Sequence, residues 1–171
     1  MSYCEYCQKL PLDNVHRRYH DEVYGQKISD DFELFGRLIL EINQAGLSWD
    51  TILKKSEHFR LAYDQFDYHK IARYDQSDID RLLQNAGIIR NRLKIQAVIY
   101  NANQILALKE MHGSFLNWVD MQEIKNTDEW VKLFKKNFKF VGGEIVKEFL
   151  LSIGKIEGSH DVTCPKYKHY N

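Results

Sequence analysis

The chain has 171 residues, which is enough for one domain with a substantial core. Its 24 lysines and arginines balance 24 aspartates and glutamates, so no global basic field draws it to nucleic acid or membrane, and any DNA-facing surface has to be a local patch. No apolar run is long enough to span a bilayer, no secretory signal is visible, and three cysteines (an odd count) suit a reducing cytoplasm better than a disulfide framework.

In chain order, almost every segment shows helical spacing. The two prolines, Pro11 and Pro165, lie near the ends and break nothing in between. Asp30 with Glu33 is an N-terminal cap for a helix carrying Leu34, Phe35, Leu38, Ile39 and Ile42. Gln44, Ala45, Gly46 and Leu47 interrupt it, and Ser48 caps a short helix through Ile52 and Leu53. Ser56 and Asp67 are starts for two more short helices. Further helices are expected near residues 114–121, 127–136 and 143–153, the last ended by Gly154. No segment alternates with period two, so the fold class is all-α, in a single domain over residues 1–171.

Residues 77–106 read as two helices joined by a tight hairpin. Ser77 with Asp80 caps the first, and Ile95, Val98, Ile99, Ala102, Ile105 and Leu106 form the buried face of the second. Gly87 is placed to end the first helix at positive φ. From position 81 to 109 there is no acidic residue, while Arg81, Arg90, Arg92, Lys94 and Lys109 fall in the same span. Three of these cations crowd the start of the second helix, where the helix dipole favours negative charge. A bound phosphate resolves that conflict, and an ordinary hairpin with a solvated basic face is the plain alternative.

The two ends carry metal-ligand spacing. Cys4 and Cys7 form C-x2-C, His20 follows, and His160 and Cys164 form H-x3-C at the other end. The set is either Cys4, His20, His160 and Cys164, or the same with Cys7 in place of His20. The plain alternative is surface thiols and a loose tail, to which His169 and Tyr170 point. Glu41 interrupts the apolar run Leu38, Ile39, Leu40, Ile42, and a carboxylate buried there needs partners or a task. Tyr19, Tyr24 and Trp49 are core aromatics or stacking faces, and Ala45, Gly46 and Leu47 are a turn or a small plug for a base stack.

Four blocks are similar to the 3-methyladenine DNA glycosylase I family of helix-hairpin-helix repair enzymes. They are Tyr19, His20, Asp21 with Gly25; Glu41 with Gln44, Ala45, Gly46, Leu47, Ser48, Trp49 and Leu53, Lys54, Lys55; Ala86, Gly87, Ile88, Ile89, Arg90 with Lys94, Ile95, Gln96, Ala97; and Phe138, Lys139, Phe140, Val141, Gly142. The resemblance implies a monofunctional hydrolase acting on double-stranded DNA, with free 3-methyladenine as product, as a soluble monomer. It implies a structural Zn2+ on Cys4, His20, His160 and Cys164. Glu41 would contact the flipped base, Trp49 would stack on it, Tyr19 and Tyr24 would line its pocket, and Gly46 and Leu47 would fill the gap it leaves. The hairpin with Gly87, Arg90, Arg92 and Lys94 would hold backbone phosphates. The chain departs from the family pattern at Tyr24, Tyr6, His16, Ile42 and Asn43, in a shorter segment between Met121 and Phe138, and in the charges Glu144, Lys147 and Glu148. A protein that binds lesions without excising them, a glycosylase with lyase activity, and a helical interaction module are the alternatives. Of these, the lyase needs a nucleophilic lysine where Asn91 stands.

Overall fold

The computed structural model describes residues 1–167, so His169 and Tyr170 lie outside the described residues. All regular structure among them is helical, with no strand. The N-terminal part holds α1 (Tyr3–Gln8), α2 (Val15–Arg18) and a π-helical turn at Tyr19–Val23. None of these has a strong sequence signal beyond the capping box in which Ser2 accepts from the Glu5 amide and Glu5 reaches back to Ser2.

The centre is α3 (Asp31–Gln44), whose buried residues include Leu34, Phe35, Leu38, Ile39, Leu40 and Ile42. A helix apolar on nearly every side belongs inside a bundle, and each such side chain contributes roughly 1.5–3 kcal/mol on burial. Around it pack α4 (Trp49–Ala62), α5 (Tyr68–Ile71), α6 (Gln76–Gln84), α7 (Arg92–His112), α8 (Phe115–Asp120), α9 (Thr127–Asn137) and α10 (Gly143–Ser152). Asp30 caps α3 through the Glu33 amide, as its position predicts. The adjacent Asp31 carboxylate accepts from the Phe115 and Leu116 amides at 2.9 and 2.8 Å, so it fastens the first turn of α8 to the start of α3. Gly36 has no room for a side chain, since a Cβ there would sit 2.2 Å from the Phe66 ring.

Several sequence expectations shift. Ser48 caps α4, but the helix runs for 14 residues, and Ser56 lies inside it instead of starting another. The cap of α6 is Asp75, with Asp78 completing the box, so Ser77 is already within the first turn. Gly87 is not at positive φ. The helix ends instead at Asn85, whose side-chain oxygen accepts from the Gly87 amide at 2.8 Å, and Gly87 is needed because a Cβ would meet His58 at 2.8 Å. Asp67, Ser114 and Gly154 act as the sequence suggests, the last with φ of 65° just past α10.

Candidate active site

A cleft of about 480 Å3 opens where the π-turn, α3, the start of α4 and α10 meet. Its walls are Tyr3, Tyr19, Tyr24 and Trp49, with Glu41, Gln44, Glu144 and Glu148 as the polar lining. The Tyr19 ring lies 5.7 Å from Tyr24 and meets Trp49 edge-on at 5.3 Å. Tyr19 faces this cleft while the next residue, His20, faces the terminal cluster. The π-turn that carries both closes through the Tyr24 amide donating to Tyr19 O at 2.8 Å, five residues back.

Glu41 is 4% exposed, and among the described residues its carboxylate has no hydrogen bond or ion pair. Burial pushes it up to about 8, the nearby Glu148 pushes the same way, and Arg37 opposes them. The Tyr19 hydroxyl beside it is buried and also without a partner. The Tyr24 hydroxyl donates to Glu148 Oε2 at 3.4 Å. A flat apolar slot with unsatisfied polar groups at its base is built to receive a planar ligand that supplies the missing partners.

Next to the cleft, α3 ends in an exposed turn. Gly46 stands at φ of 81° with open space where a side chain would be, and Leu47 projects with 38% exposure. Gln44 ties the turn from both sides, its carbonyl accepting from the Leu47 amide at 2.7 Å and its side chain donating to Leu47 O at 2.9 Å. Lys94, expected among the phosphate-holding cations, has another place. It is buried, and its ammonium donates to Asn43 O at 3.0 Å and Ala45 O at 2.8 Å. Those carbonyls are orphans at the C-terminus of α3, so Lys94 braces the leucine turn from the hairpin side. Arg90 is exposed and unpaired among the described residues, and Arg92 has only a loose contact to Asp80 at 3.8 Å. Lys55 donates to Ala86 O at 2.8 Å and secures the hairpin to α4.

On the far side of the π-turn, four ligand atoms from Cys4, His20, His160 and Cys164 lie within 4.8 Å of one another, all in buried residues. The outer nitrogen of each histidine is engaged: His20 Nδ1 with Asp21 at 2.7 Å and His160 Nε2 with Tyr24 O at 2.9 Å. The Asp161 and Lys166 amides donate to the Cys4 and Cys164 sulfurs, each at 3.4 Å. This cluster can hold a metal ion. Cys7 stands outside it, its thiol directed at His16 O, so the spacing ambiguity resolves in favour of His20.

The chain matches the methyladenine glycosylase family model over residues 7–167. The chain belongs to this family. The 3-methyladenine glycosylase I of Escherichia coli K12 is 37% identical, covering 95% of this chain and 97% of its own. The enzyme of Haemophilus influenzae is 33% identical over 93% of this chain and 96% of its own. A solved structure of 3-methyladenine DNA glycosylase I (TAG) from Staphylococcus aureus, concerned with recognition of 3-methyladenine, superposes with a TM-score of 0.85. It is 33% identical and covers 99% of this chain and 100% of that one. Within this family frame the cleft lining adds Tyr3 to the residues named in the sequence, and it brings Gln44, Glu144 and Glu148, there part of a matching block or departures from the family pattern, into the same site. The signal for the two acids was their charge, four residues apart on one helix. Tyr3 carried none.

Proposed function

We propose that this protein is a monofunctional DNA-3-methyladenine glycosylase that flips an alkylated base into the cleft and hydrolyses its N-glycosidic bond. The observation that supports it best is Glu41, a buried carboxylate without a partner in an aromatic slot beside an exposed leucine turn. Adenine methylated on N3 is a cation with a weakened glycosidic bond. Its charge is attracted by the faces of Tyr19, Tyr24 and Trp49, and its exocyclic amine donates to Glu41. In the empty cleft Glu41 holds its proton near neutral pH, and an entering cation favours the carboxylate. Water supplies hydroxide to the sugar carbon, the C–N bond breaks, the base leaves neutral with the bond pair, and the second proton of the water passes to solvent. Normal adenine brings no charge to the slot, so selection lies in pocket chemistry.

Leu47 fills the space the base leaves, and residues 77–106 act as a helix-hairpin-helix that holds backbone phosphates. Gly87 permits the close hairpin, and Arg90 and Arg92 supply the charge. Arg90→Ala and Arg92→Ala should each weaken binding to duplex of any sequence and flatten the salt dependence by roughly one phosphate contact. An unchanged salt slope in both variants removes the hairpin from the interface. The ion in the terminal cluster is Zn2+. Tetrahedral bonds of about 2.0–2.3 Å to nitrogen and sulfur give ligand–ligand edges of roughly 3.3–3.8 Å; all four ligand atoms lie within 4.8 Å of one another, and three of their distances fall close to that range. They are 3.2 Å for His20 to His160, 3.7 Å for Cys4 to His160 and 3.6 Å for Cys164 to His20. The ion has a structural role, since four protein ligands leave no open position. The protein acts as a monomer in a single domain. Three free cysteines suit the cytoplasm, and no helix among the described residues is long and apolar enough to cross a membrane. Incubating the purified protein with methylated duplex should release 3-methyladenine and leave the strands uncut. If the protein binds this DNA and releases no base, it is a lesion-binding protein and not a glycosylase.

A further inference from the structure

We propose that Glu148 is a specificity-determining residue of the cleft, a second carboxylate that acts with Glu41 to select bases carrying a positive charge. The proposal rests on the glycosylase reading and extends it. The buried residues of α10 are Val146, Phe149, Leu150, Leu151 and Ser152. Glu144 and Glu148 stand one turn apart on the face that lines the cleft, opposite Glu41 on α3. Like charges at that spacing disfavour a helix, and a third carboxylate buried in the same cleft adds to the conflict.

The surrounding groups do not remove it. Glu148 is half-buried, and among the described residues its only hydrogen bond is from the Tyr24 hydroxyl. Lys147 precedes it on α10, is exposed, and forms no ion pair with it. Arg37 on α3 lies over the Tyr19 ring at 5.8 Å and donates to Ser152 O at 3.2 Å. The tyrosines Tyr3, Tyr19 and Tyr24 complete the titratable lining. The charge of Glu148 reaches across the cleft: it helps push Glu41, Tyr19 and Tyr24 above their ordinary values. Arg37 and Lys147 offset part of this charge, but neither forms an ion pair with Glu41 or Glu148 among the described residues. A flat cation between the aromatic walls relieves Glu41 and Glu148 together, while a neutral base of the same shape relieves neither.

The test compares wild type with Glu148→Gln, using titrations of a permanently cationic purine, 3,9-dimethyladeninium, and its neutral counterpart 9-methyladenine. Wild type should prefer the cation. In Glu148→Gln that preference should fall about tenfold, with affinity for the neutral base little changed. The pH at which Glu41 ionises, followed by carboxylate NMR, should fall as well, a response that loss of packing alone does not produce. Glu148→Ser serves the same comparison if the glutamine variant melts early. An unchanged ratio in a well-folded variant overturns the proposal. Base release from methylated duplex, measured on the same wild-type sample, separates the two readings. Release with an unchanged ratio removes Glu148 alone, whereas a changed ratio without release removes excision and keeps the cation selectivity.

Discussion

Glu41→Gln is expected to melt higher than wild type at pH 9, by several degrees, and to converge with it toward pH 4. The folded pKa of Glu41 is raised from 4.5 to about 8, chiefly by burial, so the native state keeps this proton to higher pH than the unfolded chain does. Stability linked to the group is therefore complete below about pH 4.5, declines as pH rises through about 8, and is lost above that. At 1.36 kcal/mol per unit the full effect is on the order of 3–5 kcal/mol, and about 2–4 °C per kcal/mol is usual for a domain of this size. Glutamine keeps the shape and has no charge to bury, so the difference between the two melts isolates this one carboxylate. Thermal denaturation of both proteins from pH 4 to 9 gives the comparison. A wild type that is the more stable protein at high pH would mean that Glu41 has a folded-state partner after all.

Cys164→Ser should lose most of its metal and melt lower by roughly ten degrees or more. Structural zinc contributes about 10–16 kcal/mol in small domains, where the ligands assemble only on folding. Here the four ligands join α1, the π-turn and residues 160–164, closing a loop over most of the chain. Apart from the cluster, α1 is held by the Tyr3 ring packing on His16 and Tyr24 and by Arg17 donating to Cys7 O, while the Ser2–Asp161 contact is exposed and α1 is only six residues long. The π-turn would loosen too, because His160 Nε2 engages Tyr24 O, and Tyr24 is a wall of the cleft. Metal content by atomic spectroscopy and a melt with and without chelator measure both effects. Cys7→Ser should retain the ion. If it lost the metal while His20→Ala kept it, the ligand set would be wrong.

Much of this was legible in the sequence because local physics decides it. The caps Asp30, Ser48, Asp67 and Ser114 act where they stand, since an N-cap needs only a side-chain oxygen and an amide two or three residues on. On α7 the spacing placed Ile95, Val98, Ala102 and Ile105 correctly in the core, while Ile99 and Leu106 are only partly buried. The features that escaped are tertiary. At residues 64–66 three non-glycine residues adopt positive φ, which no local preference favours. Phe66 seated against Gly36 and the Tyr74 hydroxyl bound to Asp64 hold that turn. Lys94 looked like part of a phosphate grip because the spacing of cations cannot show that two carbonyls, some fifty residues earlier, would claim its ammonium. In the same way Glu148 stood out in the sequence only as a charge departing from the family pattern, and packing is what brings it to the cleft with Glu41.

The most direct test of the account is single-turnover release of 3-methyladenine from methylated duplex DNA by wild type and Glu41→Gln, with binding to undamaged duplex measured on the same samples. The account predicts release by wild type and a rate lower by tenfold or more in the variant. That is the effect of a lost charged hydrogen bond of roughly 1.5–3 kcal/mol. Binding to undamaged duplex should be unchanged, since that contact is proposed to lie with the hairpin. Equal release rates from a well-folded Glu41→Gln protein would contradict the central claim that this carboxylate meets the base.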